Sequence, residues 1–270
     1  MTYEAFFHNA RWWVRYAGKL LGGYSANPLR TYVFPLYTPQ GRLVLQEAPP
    51  DHPHHQGIFA GLEINGYDLW AAGSFNRPRH RQESTPPLAK IEPVISSTGV
   101  MFTHTISWKT HLEKICLREN RTVRLSSQAR FTLVEWASQF SSPKPVTELG
   151  QTKEAGIGLR VPPHWETGLG GQIRNALGQQ GEAECFDQPA PWLNVQGGSA
   201  RNRAGVIFVP HPHSELCSWF SRDYGLQLYN PCRHHPITLQ AGQSIVWTVR
   251  VLAYDGDLSL DQINALVEAI

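Results

Sequence analysis

The sequence predicts an all-β protein: a large antiparallel β-sandwich with a short helix at its C-terminus. Three observations predict it. Short apolar, β-branched and aromatic runs recur between turn residues at roughly 8–12-residue spacing, the rhythm of a sandwich. The 270 residues hold 23 Gly and 20 Pro, with 11% aromatic and only 17% charged residues, which suits packed strands and excludes a disordered or coiled-coil chain. Only the last dozen residues show a clear helical period. A β-barrel is the alternative closure of so many strands. The length fits a single domain over residues 1–270.

The elements follow in order. "RWWVRYAGKLLGGYS" reads as a hairpin turning at Ala17-Gly18. "TYVFPLYT" is strand-like, and Pro35, with no N–H to give a ladder, argues for an edge or a bulge. "GVMFTHTISWKT" and "LEKICLRENRTVRLSS" are two long strands. "ARFTLVEWASQF" alternates, with Phe131, Leu133 and Glu135 on one face and Thr132, Val134 and Trp136 on the other. "AGVIFVP" is apolar throughout, as a strand buried on both faces would be. "QSIVWTVRVLAY" sets Ile245, Trp247, Val249 and Val251 against Ser244, Val246, Thr248 and Arg250. In "SLDQINALVEAI", Ser259 and Gln262 match a capping box, and Leu260, Ile263, Val267 and Ile270 form one stripe. "QESTPPLAK" and "SQFSSPKPVTELG" are loops within the domain.

Composition excludes several classes. Net charge is +2, from 24 basic and 22 acidic residues, so nothing calls for nucleic acid; the basic run "NRPRHRQ" at 76–82 reads as a solvated loop. No apolar run approaches the roughly 18 residues of a membrane span. The N-terminus lacks a secretory pattern, and Cys116, Cys185, Cys217 and Cys232 form no CxxC pair. These features predict free thiols and a soluble cytoplasmic protein. Walker, GxGxxG, GxSxG and HExxH motifs are absent.

The chemistry-bearing signal is "DHPHHQG". In an extended segment His52 and His54 project to one side and His55 to the other, with Pro53 stiffening the run. Such a pair can offer two nitrogens to a metal, or a donor and an acceptor to a substrate. "FVPHPHSE" repeats the pattern with His211 and His213 at the end of the apolar strand. His234 and His235 in "CRHHPIT" read as a turn. In "QTKEAGIGLRV", Lys153 and Glu154 face opposite ways if the segment is a strand, and a surface ion pair is the plainer reading. "SWFSRDYGLQLYNP" brings Trp219, Arg222, Asp223, Tyr224 and Asn230 together, aromatic faces beside polar groups, as a sugar pocket uses and as ordinary strand-and-turn sequence also shows.

Taken in order, "PDHPHHQGIFAGLEINGYDLW", "TKEAGIGLRV", "GGQIRNALGQQGE" with "PWLNVQG", and "AGVIFVPHPHS" through "RDYGLQLYNP" to "VRVLAYDGD" resemble the bacterial PmoA family, the methane oxygenase PmoA-like domain. The resemblance implies a β-supersandwich similar in kind to that of galactose mutarotases, and an association with carbohydrate metabolism. It marks His52, His54, His55, Lys153, Glu154, Asn175, His211, Asp223, Tyr224 and Asn230. Gln151 and Pro210 stand where the family pattern has Asp, so no carboxylate role is assigned there.

These readings converge on a carbohydrate-processing enzyme, mutarotase-, lyase- or hydrolase-like, acting on a sugar or keto-sugar. His52, His54, His211, Glu154 and Lys153 are its expected acid–base groups; His55, Asn175, Trp219, Asp223, Tyr224 and Asn230 are expected to bind substrate. The sequence requires no cofactor. One alternative is a divalent-metal enzyme using His52, His54, His211 and His213. The other is a non-catalytic carbohydrate-binding module presenting Trp70, Trp192 and Trp219.

Overall fold

The computed structural model describes residues 2–74, 76–210 and 218–270. Two large antiparallel sheets face each other. The first runs, edge to edge, through strands Tyr3–His8, Arg11–Tyr16, Lys19–Ala26, Thr31–Leu36, Ile58–Gly61, Gly156–Arg160, Leu226–Tyr229 and Trp219–Ser221. The second runs through Gln172–Asn175, Leu193–Gly197, Ala204–Pro210, Ser244–Asp255, Phe131–Ser141, Ile115–Ser127, Gly99–Lys109 and Arg81–Thr85, with Val94–Ser96 paired beside Gly99–Lys109. A small third sheet joins Ile237–Gln240, Val146–Leu149, Glu63–Ile64 and Tyr67–Asp68. The fold is the all-β sandwich with a short C-terminal helix, not a closed barrel.

Period-two patterning builds the layers. Val33, Ile58, Ile157 and Tyr229 from the first sheet meet Phe102, Val123, Trp136, Trp247 and Val249 from the second in one continuous core. Phe131 and Leu133 turn the other way, with Ile207, Leu252 and Tyr254, and receive Ile263 and Leu266 of the helix Leu260–Glu268. Ser259 and Gln262 close the capping box. Leu266 is a contact the proposed stripe left out. The outer face of the first sheet carries its own aromatic cluster: Tyr32, Phe59, Trp70, Phe220, Leu226 and Leu228.

The turn at Ala17-Gly18 has positive φ at both residues (48° and 77°), the two-residue hairpin geometry that matches strand twist. Pro35 does not mark an edge. Its strand lies between two others, and it sits instead at a bulge: Val33 to Leu36, with Phe34 and Pro35 between them, faces Gly22 to Tyr24, with only Gly23 between them.

Inside the sandwich sits a polar network. The Glu119–Arg121 pair is fully buried at 2.6 Å, and Arg121 also donates to Thr31 and Gln82. Beside it, the His104 ring bridges Ser84 Oγ (2.6 Å) and Tyr24 Oη (2.7 Å). Each buried polar atom named here has a partner, which is the condition for tolerating such groups in a core.

Candidate functional site

The histidine run is a turn, not a strand. His52 N–H donates to Pro49 O (3.0 Å) and His55 N–H to His52 O (2.9 Å), which curls the segment. The expected split of His52 and His54 from His55 is therefore lost, and all three rings gather. His52 stacks on His55 at 4.7 Å with a 9° interplanar angle, and His54 meets His55 edge-on at 4.4 Å. On its other neighbour, His52 stacks with Tyr224 at 4.9 Å and 10°.

Charged groups fix this stack. Asp51 Oδ2 takes a hydrogen bond from His52 Nδ1 at 2.8 Å and is held by Arg160 Nη2 at 3.2 Å. A carboxylate there selects the Nδ1–H tautomer and leaves the lone pair on Nε2. Arg160 is buried and lies over the Tyr224 ring at 4.8 Å, reaching Glu166 at 3.6 Å. Against the cost of burial, the bonds from His52 and Arg160 hold the Asp51 carboxyl below its ordinary value. Burial, with Arg30 and His52 nearby, pushes His54 down to about 3. Burial and the two neighbouring imidazoles hold His55 far below its usual range. Burial, with Glu154 close, raises the Tyr224 phenol to about 12. At neutral pH His54 and His55 are uncharged and Tyr224 keeps its proton.

Next to the stack opens a cleft of about 240 Å³ lined by Glu63, Asp68, Trp70, Ala71, Arg77, Thr152, Lys153 and Glu154. Trp70 links the two, since its ring lies 6.2 Å from His54 and 6.0 Å from His55. Asp68 Oδ1 accepts from Trp70 N–H and Ala71 N–H, and Asp68 pairs with Arg77, so one carboxylate sets the loop that carries the indole. The indole rests where the sheet has no side chains: a Cβ on Gly61 would lie 2.5 Å from Trp70 Cε3, and one on Gly158 would lie 3.6 Å from Trp70. At Gly61 only glycine allows so close an approach, while at Gly158 the distance is an ordinary contact.

A family model matches residues 11–268, nearly the whole chain. The chain belongs to DUF6807, a family of unknown function. This match corrects the PmoA assignment suggested by the sequence blocks. No curated protein matches the chain. Among solved structures, the DUF6807 chain is similar to a galactose mutarotase related enzyme from Lactobacillus acidophilus, with 9% identity, TM-score 0.40, and coverage of 95% of this chain and 100% of that one. It is also similar to the GH36 α-galactosidase AgaA from Geobacillus stearothermophilus in complex with raffinose, with 10% identity, TM-score 0.37, and coverage of 94% of this chain and 41% of that one. The sandwich itself is read from this chain's own strand pairing.

In this DUF6807 chain the expected site residues separate into groups. His52, His54, His55 and Tyr224 come together, and Lys153 and Glu154 both line the adjoining cleft. The last two were expected on opposite faces, but residues 151–155 form no strand, and the two side chains approach at 3.9 Å. Asn230 lies behind the cleft, donating to Thr152 O (3.0 Å) and so bracing the Lys153 loop. Asp223 instead accepts from Glu182 N–H, at the start of the short helix Gly181–Cys185. Arg222 pairs with Glu182 at 3.1 Å. Asn175 is buried in its own turn, accepting from Leu177 and Gln179 N–H. Trp219 is core: its strand turns Phe220 outward and Trp219 inward, against Phe208. Trp192 packs under the C-terminal helix, donating to Asn264. Of the three tryptophans considered for a contact surface, only Trp70 borders the cleft. His211, His213 and Cys217 lie outside the described residues, and Cys116, Cys185 and Cys232 are free and buried. Among the described residues, no three His, Cys, Asp or Glu side chains group as metal ligands, and no helix is long and apolar enough to cross a membrane.

Sequence reasoning missed Asp51 as the partner of His52, and missed Arg160 and Arg30 altogether. Asp51 sits inside the quoted motif and was legible as an adjacent carboxylate. Arg160 carried a weaker signal, as a lone charge ending the otherwise apolar strand "GIGLR".

Proposed function

We propose that the chain is a carbohydrate-processing enzyme in which His52, oriented by Asp51, moves a proton on a sugar or keto-sugar bound against Trp70 and Tyr224. The observation that carries this reading is the Asp51–His52 pair at 2.8 Å, locked by Arg160 beside a polar, aromatic-edged cleft. An imidazole tied through Nδ1 to a carboxylate is the arrangement that positions the other nitrogen for acid–base work. Lys153, Glu154, Asp68 and Arg77 offer a sugar both donors and acceptors, while Trp70 and Ala71 give the cleft an apolar side. His54 and His55, held neutral, serve as positioning groups in this scheme, which narrows the acid–base role expected of His54.

The test is proton exchange. Candidate aldoses and ketoses are incubated with the protein in D2O, and NMR follows anomer interconversion and deuterium entry beside the carbonyl. The Trp70 indole resonance reports binding. A ligand that shifts Trp70 should lose turnover about a hundredfold or more in His52→Gln, with binding kept and Asp51→Asn intermediate. Undiminished turnover in His52→Gln would sink the reading. Binding without any turnover would favour the carbohydrate-binding module.

A further inference from the structure

Behind Trp70, the outer face of the first sheet holds a buried cation. Arg30 is 2% exposed. Its Nη2 donates to Trp70 O (2.7 Å) and Leu69 O (3.4 Å), while Nε and Nη1 are buried with no acceptor among the described residues. Among the described residues no carboxylate forms an ion pair with it; the carboxylate of Asp68 is already engaged by Arg77 and two backbone N–H groups. A buried charge in that condition is costly unless something pairs it.

The groups around it have the same deficit. The His55 Nδ1 contact at 3.3 Å is to Arg160 Nη1, and a guanidinium only donates. His55 therefore accepts at Nδ1, and the neutral ring carries its hydrogen on Nε2. Among the described residues that buried Nε2–H has no acceptor, and neither has the buried indole N–H of Trp70. All three side chains flank one ring: Phe59 lies 5.4 Å from the Arg30 guanidinium, 5.7 Å from His55 and 4.9 Å from Trp70. Four donor nitrogens flank this ring with no acceptor among the described residues. A water has only two lone pairs and brings two hydrogens that need acceptors of their own. An anion answers both the donors and the charge.

We propose that Arg30, His55 and Trp70 form an anion site behind the cleft, taking a single carboxylate or a halide-sized ion. The same chemistry can come from a free ion or from the carboxylate of an acidic sugar. Only the second source rests on the carbohydrate reading, and the experiment separates them.

Thermal unfolding is followed at constant ionic strength against bromide, acetate, glucuronate and glucose, and crystals soaked in bromide are read by anomalous scattering. The expected result is a saturable rise in Tm with bromide and acetate, and an anomalous peak within hydrogen-bond distance of Arg30, His55 Nε2 and Trp70 Nε1. Trp70→Phe keeps the aromatic body and removes one N–H, so it should weaken bromide binding about tenfold; this variant serves if Arg30→Gln does not fold. Glucuronate binding more tightly than both acetate and glucose assigns the site to a substrate carboxylate. Glucuronate no better than acetate assigns it to a free ion. No anomalous peak, together with equal bromide responses in wild type and Trp70→Phe, overturns the proposal and leaves an internal water.

Discussion

Lowering the pH from 7 to 4 should unfold this protein through three histidines. His54 and His104 are each pushed down to about 3, in both cases by burial first, with Arg30 acting on His54 and Arg121 on His104. His55 is held lower still. In the unfolded chain each imidazole titrates near 6.5. The folded values are depressed, so the folded state binds fewer protons than the unfolded one between about 3 and 6.5. The stabilisation is thus complete above pH 6.5 and is lost as the pH falls. Three protons at about 1.4 kcal/mol per proton and pH unit give a slope of about 4 kcal/mol per unit below pH 6. Accumulated to pH 4, the loss is about 10 kcal/mol, comparable with the whole stability of an ordinary domain. Urea unfolding followed by tryptophan fluorescence at half-unit steps measures the slope directly. His54→Gln should reduce it by about a third. A stability that stays flat between pH 6.5 and 5 would refute the reasoning, because it would mean that these rings charge without unfolding.

Two further perturbations test the frame. Gly61→Ala places a methyl 2.5 Å from Trp70 Cε3, so overpacking should cost about 1–3 kcal/mol; the same variant should red-shift tryptophan emission as the indole leaves its seat. Glu119→Ala strands the Arg121 guanidinium in the core and should cost about 3–5 kcal/mol by urea titration, whereas replacing both Glu119 and Arg121 with Met should recover most of that loss.

The strands were legible because burial on one face writes a period of two into the chain, and Trp247, Val249 and Val251 obey it. What period two cannot say is which face is the core. "SWFS" offers a large ring to each side, and Trp219 went inward while Phe220 went out. The histidine run was legible as a cluster but not as a shape. Reading it as extended ignored two backbone hydrogen bonds, Pro49 to His52 and His52 to His55, that no side chain announces. Lys153 and Glu154 were misplaced for a related reason: the strand begins only at Gly156, after the chain has bent. Asn175 looked like a polar group awaiting a ligand, yet its side-chain oxygen closes its own turn by accepting from backbone N–H groups two and four residues on, a habitual role of Asn in turns. Arg30, in "NPLRTY", gave no signal at all, since its importance comes from Leu69 and Trp70, some forty residues away.

The glycines explain why chemistry gathers on this face. On the outer side of the first sheet, Gly61 pairs with Gly156 and lies diagonal to Gly158, which sits between Phe59 and Leu228, so these positions carry no side chains. A bare patch on a sheet must be covered, and here loops cover it: 69–74 lays down Trp70, 49–57 adds the imidazole stack, and 151–155 closes the side with Lys153 and Glu154. Strand pairing holds the patch rigid, whereas the covering groups are held by a few side-chain bonds, those of Asp51, Asp68 and Asn230. Substitutions in these loops can therefore alter the site without disturbing the core between the sheets. The same division explains the donor excess around Phe59. Backbone N–H groups in the sheet satisfy one another, but Arg30, His55 and Trp70 meet where loop lies on strand, and no ladder supplies an acceptor there.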